Sequence, residues 1–167
     1  MPVTRDLMIP HWALMWGLSV AIYAVLKLLS WWNCGVNAPA WKHAAYMFAW
    51  PGMDAAAFLH VPAKPVPRVP LAEWYFACGK FVAGLMLLWF AVPEFGRFDT
   101  ALAGVVGLLG IAFSLHFGLF HVLSCVWRQM NVMAVPIMNR PLSSHSLTEV
   151  WGRRWNLAFR DLTHRFL

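Results

Sequence analysis

The chain has 167 residues, of which 60% are hydrophobic and only 12% are charged. Soluble domains are about 45–50% apolar and about 25% charged, and a chain of this length has too little interior to bury the excess. The mean hydropathy of +0.58 therefore indicates an integral membrane protein, and the net charge of +6 indicates basic loops on one side of a membrane rather than a nucleic-acid-binding surface.

Three apolar segments are long enough to cross a bilayer. They are predicted at 9–29, 73–92 and 101–126, each near the roughly 20 residues that the hydrocarbon core requires. Lys27, close to the end of the first span, is expected to extend its ammonium group to the lipid headgroups. Lys80 is interpreted in the same way, with a substrate-facing role as the alternative. The predicted fold is a single all-α membrane domain.

The segment 41–59 is apolar but interrupted. Pro51-Gly52 breaks its helical pattern, and Asp54 follows the break, where a carboxylate would be costly at the bilayer centre. Non-helical backbone at membrane depth must be covered by protein or water. We therefore predict a re-entrant or interfacial segment that lines an internal cavity, with Asp54 either in that cavity or capping a helix.

The third predicted span contains small and polar residues. Gly104, Gly107 and Gly110 near its start predict close contact with a neighbouring helix. His116 and His121 follow, and five residues rotate a helix by about 140° net, so the two rings do not share a face. Each is predicted to hydrogen-bond to a neighbouring helix or to line a cavity, with a haem or metal ligand as the alternative.

The three cysteines, Cys34, Cys78 and Cys125, lie far apart in the sequence without metal-ligand spacing. They are predicted to be buried, inert thiols, and no metal site or cofactor is predicted.

One amphipathic helix is predicted over 143–166, lying along the membrane surface. Ser146 and Glu149 have the spacing of a capping box, in which each side chain accepts a hydrogen bond from a free backbone N–H group at the start of the helix.

The same helix carries aromatic and basic residues at close spacing. Trp151 and Trp155 are four apart, so they are expected to face the same side and could hold an acyl chain or a flat ring. Arg153 and Arg154 can bind phosphate or carboxylate in a bidentate manner. The alternative is a plain interfacial helix whose tryptophans anchor it and whose arginines contact anionic lipid.

The distribution of Lys and Arg predicts the orientation. The connection 30–72 carries three such residues and the tail from residue 128 carries six, whereas the N-terminal tail and the 93–100 turn carry one each. With three spans, the two basic regions fall on the same side of the membrane. The positive-inside rule makes that side cytoplasmic and places the N-terminus outside.

Three stretches resemble segments of a known family. The octapeptide 149–156 (Glu-Val-Trp-Gly-Arg-Arg-Trp-Asn) is similar to the Glu-Phe-Trp-Gly-Arg-Arg-Trp-Asn motif of wax-synthase-like membrane-bound O-acyltransferases. Residues 50–54 (Trp-Pro-Gly-Met-Asp) resemble a second segment of these proteins. The run 116–121 lies where the family often has a similar sequence.

The resemblance implies the transfer of an acyl group from acyl-CoA to a hydroxyl acceptor inside a membrane. Asn156 would be the catalytic motif asparagine, and the residues around it would contact substrate, namely Trp151, Arg153, Arg154 and Trp155. Acyl-CoA is a substrate, so no cofactor is implied. The implied surroundings are membrane lipids, and the implied location is a bacterial inner membrane.

The sequence also departs from the family. Family members continue with several more spans, and their catalytic histidine, a general base for the acceptor hydroxyl, lies on one of these. This sequence ends at Leu167. We therefore expect an N-terminal portion of an acyltransferase that is inactive alone. The alternative is a natural short relative that serves as a non-catalytic transmembrane subunit or scaffold of a larger membrane complex.

Overall fold

The computed structural model describes residues 10–166, and every regular element within them is helical. The helices in chain order are α1 (His11–Trp32), α2 (Ala40–Ala49), α3 (Ala55–Leu59), α4 (Leu71–Gly96), α5 (Thr100–Gln129), α6 (Leu147–Glu149) and α7 (Leu157–Phe166). Of these, α1, α4 and α5 are long and apolar enough to cross a membrane, which agrees with the predicted number of such helices. Residue 9 of the first predicted span lies outside the described residues.

Helices α4 and α5 follow each other after a short turn and pack closely because glycines remove side chains at their contact. A Cβ added to Gly84 of α4 would overlap the backbone of Ser114 in α5, and one added to Gly118 of α5 would overlap the backbone of Phe81 in α4. Both helices contain a π-helical stretch near this contact, Leu87–Ala91 in α4 and Ala112–Leu119 in α5.

The glycines that the sequence singled out contribute unequally to this contact. Only Gly110 closely approaches α4, where it faces the side chain of Leu88. Gly107 has ordinary van der Waals contact with Val92, and Gly104 has open space around it. Gly84 and Gly118 were not predicted, because the sequence does not show which faces of two helices meet.

Helix α1 is hydrogen-bonded to the non-helical backbone between α2 and α3. The Lys27 ammonium group donates hydrogen bonds to the carbonyl oxygens of Trp50, at 2.6 Å, and of Gly52. Ser30 donates from its hydroxyl to the carbonyl of Met53. The expectation that Lys27 extends to the headgroups is wrong: its side chain is 1% exposed, because the backbone after α2 offers carbonyls that no helix satisfies.

The hydrophobic core lies where α2 and α3 meet the end of α5. Tyr46, Phe58 and Trp127 are buried there, and the Phe58 and Trp127 rings meet edge to face with centroids 5.1 Å apart. The Trp127 indole N–H donates to the carbonyl of Ala49 at 3.0 Å, so the last residue of α2 is held by α5. Burial of the Tyr46 hydroxyl raises its pKa to about 12.

The prediction of one continuous helix over 143–166 is wrong. After α6 the chain forms a π-helical turn, Val150–Arg154, and then breaks before α7 begins. At the break, the Asn139 N–H donates to the Arg154 carbonyl and the Leu157 N–H donates to the Ile137 carbonyl, both at 2.9 Å. These bonds to the preceding segment replace helical hydrogen bonds.

We expect Gly84→Ala to lower the melting temperature of the purified protein. The added methyl group meets backbone, which cannot move aside as a flexible side chain can, and overpacking of this kind costs about 1–3 kcal/mol. Gly79→Ala in the same helix is the matched control, because nothing lies within 4 Å of its added Cβ. Equal melting temperatures for the two variants would contradict the close contact.

We expect Lys27→Met to destabilise the fold more than the exposed-loop control Lys64→Met. Methionine keeps the apolar stem but leaves the carbonyls of Trp50 and Gly52 buried without their donor, at roughly 1–3 kcal/mol for each group. Thermal unfolding in detergent measures the difference. A Lys27→Met protein that melts with the control would show that the two carbonyls find other donors.

Candidate functional site

An apolar cavity of about 890 Å³ lies between α1 and α5. The break that follows α2 and the start of α7 complete its wall. Its volume falls in the range of about 300–1,000 Å³ that small-molecule sites occupy. The lining residues in the described part of the chain include no Lys, Arg, Asp or Glu.

The cavity brings together residues from the distant stretches that the sequence analysis singled out. Trp50, Pro51 and Met53 line it from the break after α2, His116 lines it from α5, and Asn156 lines it from the break before α7. The remaining predicted site residues are not part of this lining, namely Asp54, His121, Trp151, Arg153, Arg154 and Trp155.

His116 is the histidine of this cavity, and its ring is poorly satisfied. Its Nδ1 atom is buried and has no hydrogen-bond partner among residues 10–166. The ring meets that of Phe120 edge-on, with centroids 5.5 Å apart. The expected hydrogen bond from His116 to a neighbouring helix is therefore not found among these residues.

Asn156 lies at the break before α7 in a left-handed backbone conformation, with φ of 41°. Asparagine tolerates this conformation better than most residues. Its side-chain oxygen accepts a hydrogen bond from the Phe159 N–H at 3.4 Å, and its own N–H faces the Met138 sulfur at 3.3 Å. Asn156 therefore lines the cavity from the break before α7. Its positive φ belongs to this break, because a continuous helix has negative φ values throughout.

Arg154 serves the local structure of the motif. It forms an ion pair with Glu149 at 2.6 Å and donates to the carbonyl of Arg140. Glu149 in turn accepts from the His145 N–H at 2.9 Å, while Ser146 accepts from the Glu149 N–H as predicted. The pair thus differs from an ideal capping box, because the Glu149 side chain accepts from the His145 N–H rather than from the Ser146 N–H.

The other motif residues are more accessible. Arg153 is exposed, and Trp151 is 64% exposed. The Trp151 and Trp155 rings contact each other with centroids 5.6 Å apart, as the spacing predicted, and Trp155 also meets Phe117 of α5 edge-on. Arg153 is therefore better placed than Arg154 to receive a soluble anionic group.

Asp54 caps α3. Its carboxylate accepts a hydrogen bond from the Ala57 N–H at 2.9 Å, which is the helix-capping alternative of the sequence analysis.

A charged cluster that the sequence analysis missed joins α4 to α5. The Lys80 ammonium lies 2.7 Å from His121 Nδ1, and His121 Nε2 lies 3.0 Å from a Glu73 carboxylate oxygen. Arg128 completes the cluster with an ion pair to Glu73. Lys80 therefore extends to His121. Glu73 lies near the start of one span and Arg128 near the end of the next. This placement of opposite charges is the only signal for the cluster in the sequence.

The cluster also contains side chains that could ligate a metal ion, but its protonation disfavours metal binding. Ligand atoms of Glu73, His121 and Cys125 lie within 4.8 Å of one another. Because an ammonium can only donate, Lys80 makes Nδ1 of His121 the acceptor and leaves the proton on Nε2, facing Glu73. Arg128 adds a cation beside both Glu73 and the Cys125 sulfur. We assign the cluster a structural role.

No protein-family model, curated protein or solved structure matches this chain. Function is therefore inferred from the cavity and from the chemistry of the residues that line or flank it.

The Glu149 ion pair is expected to stabilise the motif only above acidic pH. The His145 N–H, and then Arg154, hold the pKa of Glu149 below its usual 4.5. A lowered carboxyl pKa gives stability that is present above the unfolded-state pKa and is lost as the pH falls through the folded-state pKa. The difference in melting temperature between wild type and Glu149→Gln should therefore shrink below about pH 4.5.

The matched control is Glu94→Gln, because Glu94 pairs with Arg97 on an open surface, with both side chains more than half exposed. Such pairs contribute about 0–1 kcal/mol, so this variant should differ little from wild type at any pH. A Glu149→Gln difference that persists unchanged in acid would contradict the assignment.

Proposed function

We propose that the chain belongs to an integral membrane O-acyltransferase that resembles wax synthases and transfers an acyl group from acyl-CoA to a hydroxyl acceptor. One observation carries the proposal. Trp50, Pro51 and Met53 belong to one stretch of the resemblance and Asn156 belongs to another. These residues line one cavity, although two helices long and apolar enough to span a membrane separate the two stretches in the chain.

The chemistry of acyl transfer fits the composition of the cavity. The acceptor oxygen attacks the thioester carbonyl carbon, the C–S bond breaks, and the proton of the hydroxyl passes to the departing thiolate, which leaves as the thiol. Asn156 is the group that we assign to the carbonyl oxygen, because an amide N–H can stabilise the negative charge that develops there. The apolar lining suits an acyl chain and excludes the water that would hydrolyse the thioester.

The basic motif supports an anionic donor. Arg153 and Trp151 are exposed and lie close in the chain to Asn156, which lines the cavity. A guanidinium can pair with phosphate groups, and an indole can cover a flat ring. Neither His116 nor His121 matches the family histidine in chain order, so the proposal assigns them no proton transfer. We propose a bacterial inner membrane, with the motif on the cytoplasmic side where acyl-CoA arrives.

Asn156→Gly in the native protein should reduce acyl transfer from palmitoyl-CoA to hexadecanol by about 100-fold, the loss typical of one removed donor to a developing oxyanion. Glycine keeps the positive φ of this position while it removes the amide. The control is Asn139→Ala, which lies outside the cavity and keeps the backbone N–H that bonds to Arg154. Product formation is measured by thin-layer chromatography with labelled donor.

Equal activity of the Asn156→Gly and Asn139→Ala proteins would contradict the role of Asn156. A native protein that transfers no acyl group and purifies in a stable complex with other membrane proteins would instead support the non-catalytic subunit.

A further inference from the structure

We propose that Lys80 is a covalent acylation site, at which the lysine amine takes an acyl group from a thioester. His121 acts as the base for this reaction, and Glu73 is the positioning residue that orients His121. The inference rests on the proposed function for its donor, because acyl-CoA is the thioester that such a protein meets. The reaction at Lys80 is separate from the transfer to a hydroxyl acceptor.

The first argument is the order of the groups in the charged cluster. The Lys80 ammonium lies 2.7 Å from Nδ1 of His121, and Nε2 of His121 lies 3.0 Å from a carboxylate oxygen of Glu73. A nucleophile within hydrogen-bond reach of a base, with the base oriented by a third group, is the arrangement that activates side chains for acyl transfer. The cluster therefore has the geometry of a triad as well as that of a helix contact.

The second argument follows the protons. An ammonium has no free electron pair, so Lys80 can react only after one of its protons has moved. Nδ1 of His121 has the free electron pair that can take this proton, because Nε2 keeps its own proton towards Glu73. The imidazolium that results lies beside the Glu73 carboxylate, which stabilises it.

The third argument is the distribution of charge. Lys80 and Arg128 bring two cations to the cluster, and Glu73 brings one carboxylate, with which Arg128 pairs directly. The Lys80 nitrogen also lies 4.4 Å from the centroid of the Phe76 ring, a contact that stabilises the ammonium and opposes the reaction. Proton transfer moves the surplus positive charge from Lys80 to His121, which contacts the carboxylate itself.

The reaction is an aminolysis of the thioester. The Lys80 nitrogen attacks the thioester carbonyl carbon, a C–N bond forms and the C–S bond breaks. One lysine proton passes to His121, and a second passes to the departing thiolate, which leaves as the thiol. The product is an amide at Lys80, and the proton on His121 returns to water.

The fourth argument is access. Lys80 is half-buried, Phe76 is 56% exposed, and nothing lies within 4 Å of a Cβ added to Gly79. These residues belong to a helix that is long and apolar enough to span a membrane. An acyl chain in a bilayer can therefore lie along this side of α4 with its thioester at Lys80.

Two cysteines are the competing nucleophiles. The Cys125 sulfur lies within 4.8 Å of ligand atoms of His121 and Glu73, but Cys125 is 0% exposed. Cys78 of α4 is exposed, so its predicted burial is wrong, but it is not one of the clustered residues. Lys80 is favoured because it combines contact with His121 and partial exposure.

The experiment compares two lysines within one protein. The native protein, in phosphatidylcholine nanodiscs at neutral pH, is incubated with alkyne-tagged palmitoyl-CoA, and peptide mass spectrometry follows acylation at each lysine. Lys64 is the internal reference, because it is exposed and lies outside the cluster. General-base catalysis contributes about 100-fold to 10,000-fold, and partial burial offsets some of this, so we expect Lys80 to react at least about 10-fold faster than Lys64.

His121→Gln separates the base from the helix contact. The glutamine amide can accept a hydrogen bond from the Lys80 ammonium and donate one to Glu73, but it cannot take a proton. We expect the advantage of Lys80 over Lys64 to disappear while the melting temperature changes little. His60→Gln changes an exposed histidine outside the cluster and should keep the wild-type ratio.

Neutral hydroxylamine distinguishes the nucleophiles, because it cleaves a thioester on cysteine and spares an amide on lysine. We expect the label to resist hydroxylamine. Lys80→Arg keeps the positive charge and should lose the label.

Any of three results overturns the proposal: acylation of Lys80 no faster than that of Lys64, a label that hydroxylamine removes, or an unchanged ratio in His121→Gln. If His121→Gln does not fold, the wild-type ratio and the hydroxylamine result still decide. Selective reaction of Lys80 with an alkyne-tagged phenyl ester but not with the thioester would overturn the donor class. Selective acylation of Lys80 in a native protein that transfers no acyl group to hexadecanol would contradict the proposed function and leave this site intact.

Discussion

The bond between the Lys27 ammonium and the carbonyls of Trp50 and Gly52 is the interaction on which the rest of the structure depends. In a bilayer every backbone polar group must be satisfied within the protein, and the break after α2 leaves several carbonyls without helical partners. Lys27 and Ser30 satisfy them from α1. The same contacts fix α1 beside the break, and the space left between α1 and α5 is the cavity.

Two groups of polar residues on the spans differ in how well they are satisfied. Glu73, Lys80, His121 and Arg128 satisfy one another, so their cluster stabilises the pairing of α4 with α5 and requires no ligand. His116, one and a half turns before His121 on the same helix, has a buried nitrogen without a partner among the described residues. Buried polar atoms are unfavourable unless they are paired, so the cluster contributes to the packing of α4 against α5 in a way that His116 does not.

Sequence patterns predicted local features better than contacts between distant segments. The apolar runs predicted three helices able to span a membrane, Pro51-Gly52 marked the break after α2, and Ser146 was correctly placed as the cap of α6. The prediction that Lys27 reaches the headgroups was wrong. A lysine near the end of a span is interpreted as interfacial unless its carbonyl partners are known. The prediction of a continuous helix over 143–166 was wrong. On either side of Asn156, Arg154 and Leu157 form backbone hydrogen bonds with residues 139 and 137 in place of helical ones.

By itself, the sequence determined the all-helical fold, the number of candidate spans and the residues that resemble an acyltransferase motif. These follow from composition, periodicity and short motifs, which depend only on near neighbours in the chain. Only the tertiary structure decided that the break after α2, His116 and Asn156 share a cavity. It also decided that Arg154 and His121 are bonded to other protein groups. Shared cavities and buried ion pairs depend on how helices pack, and here that packing depends on glycine contacts and on Lys27.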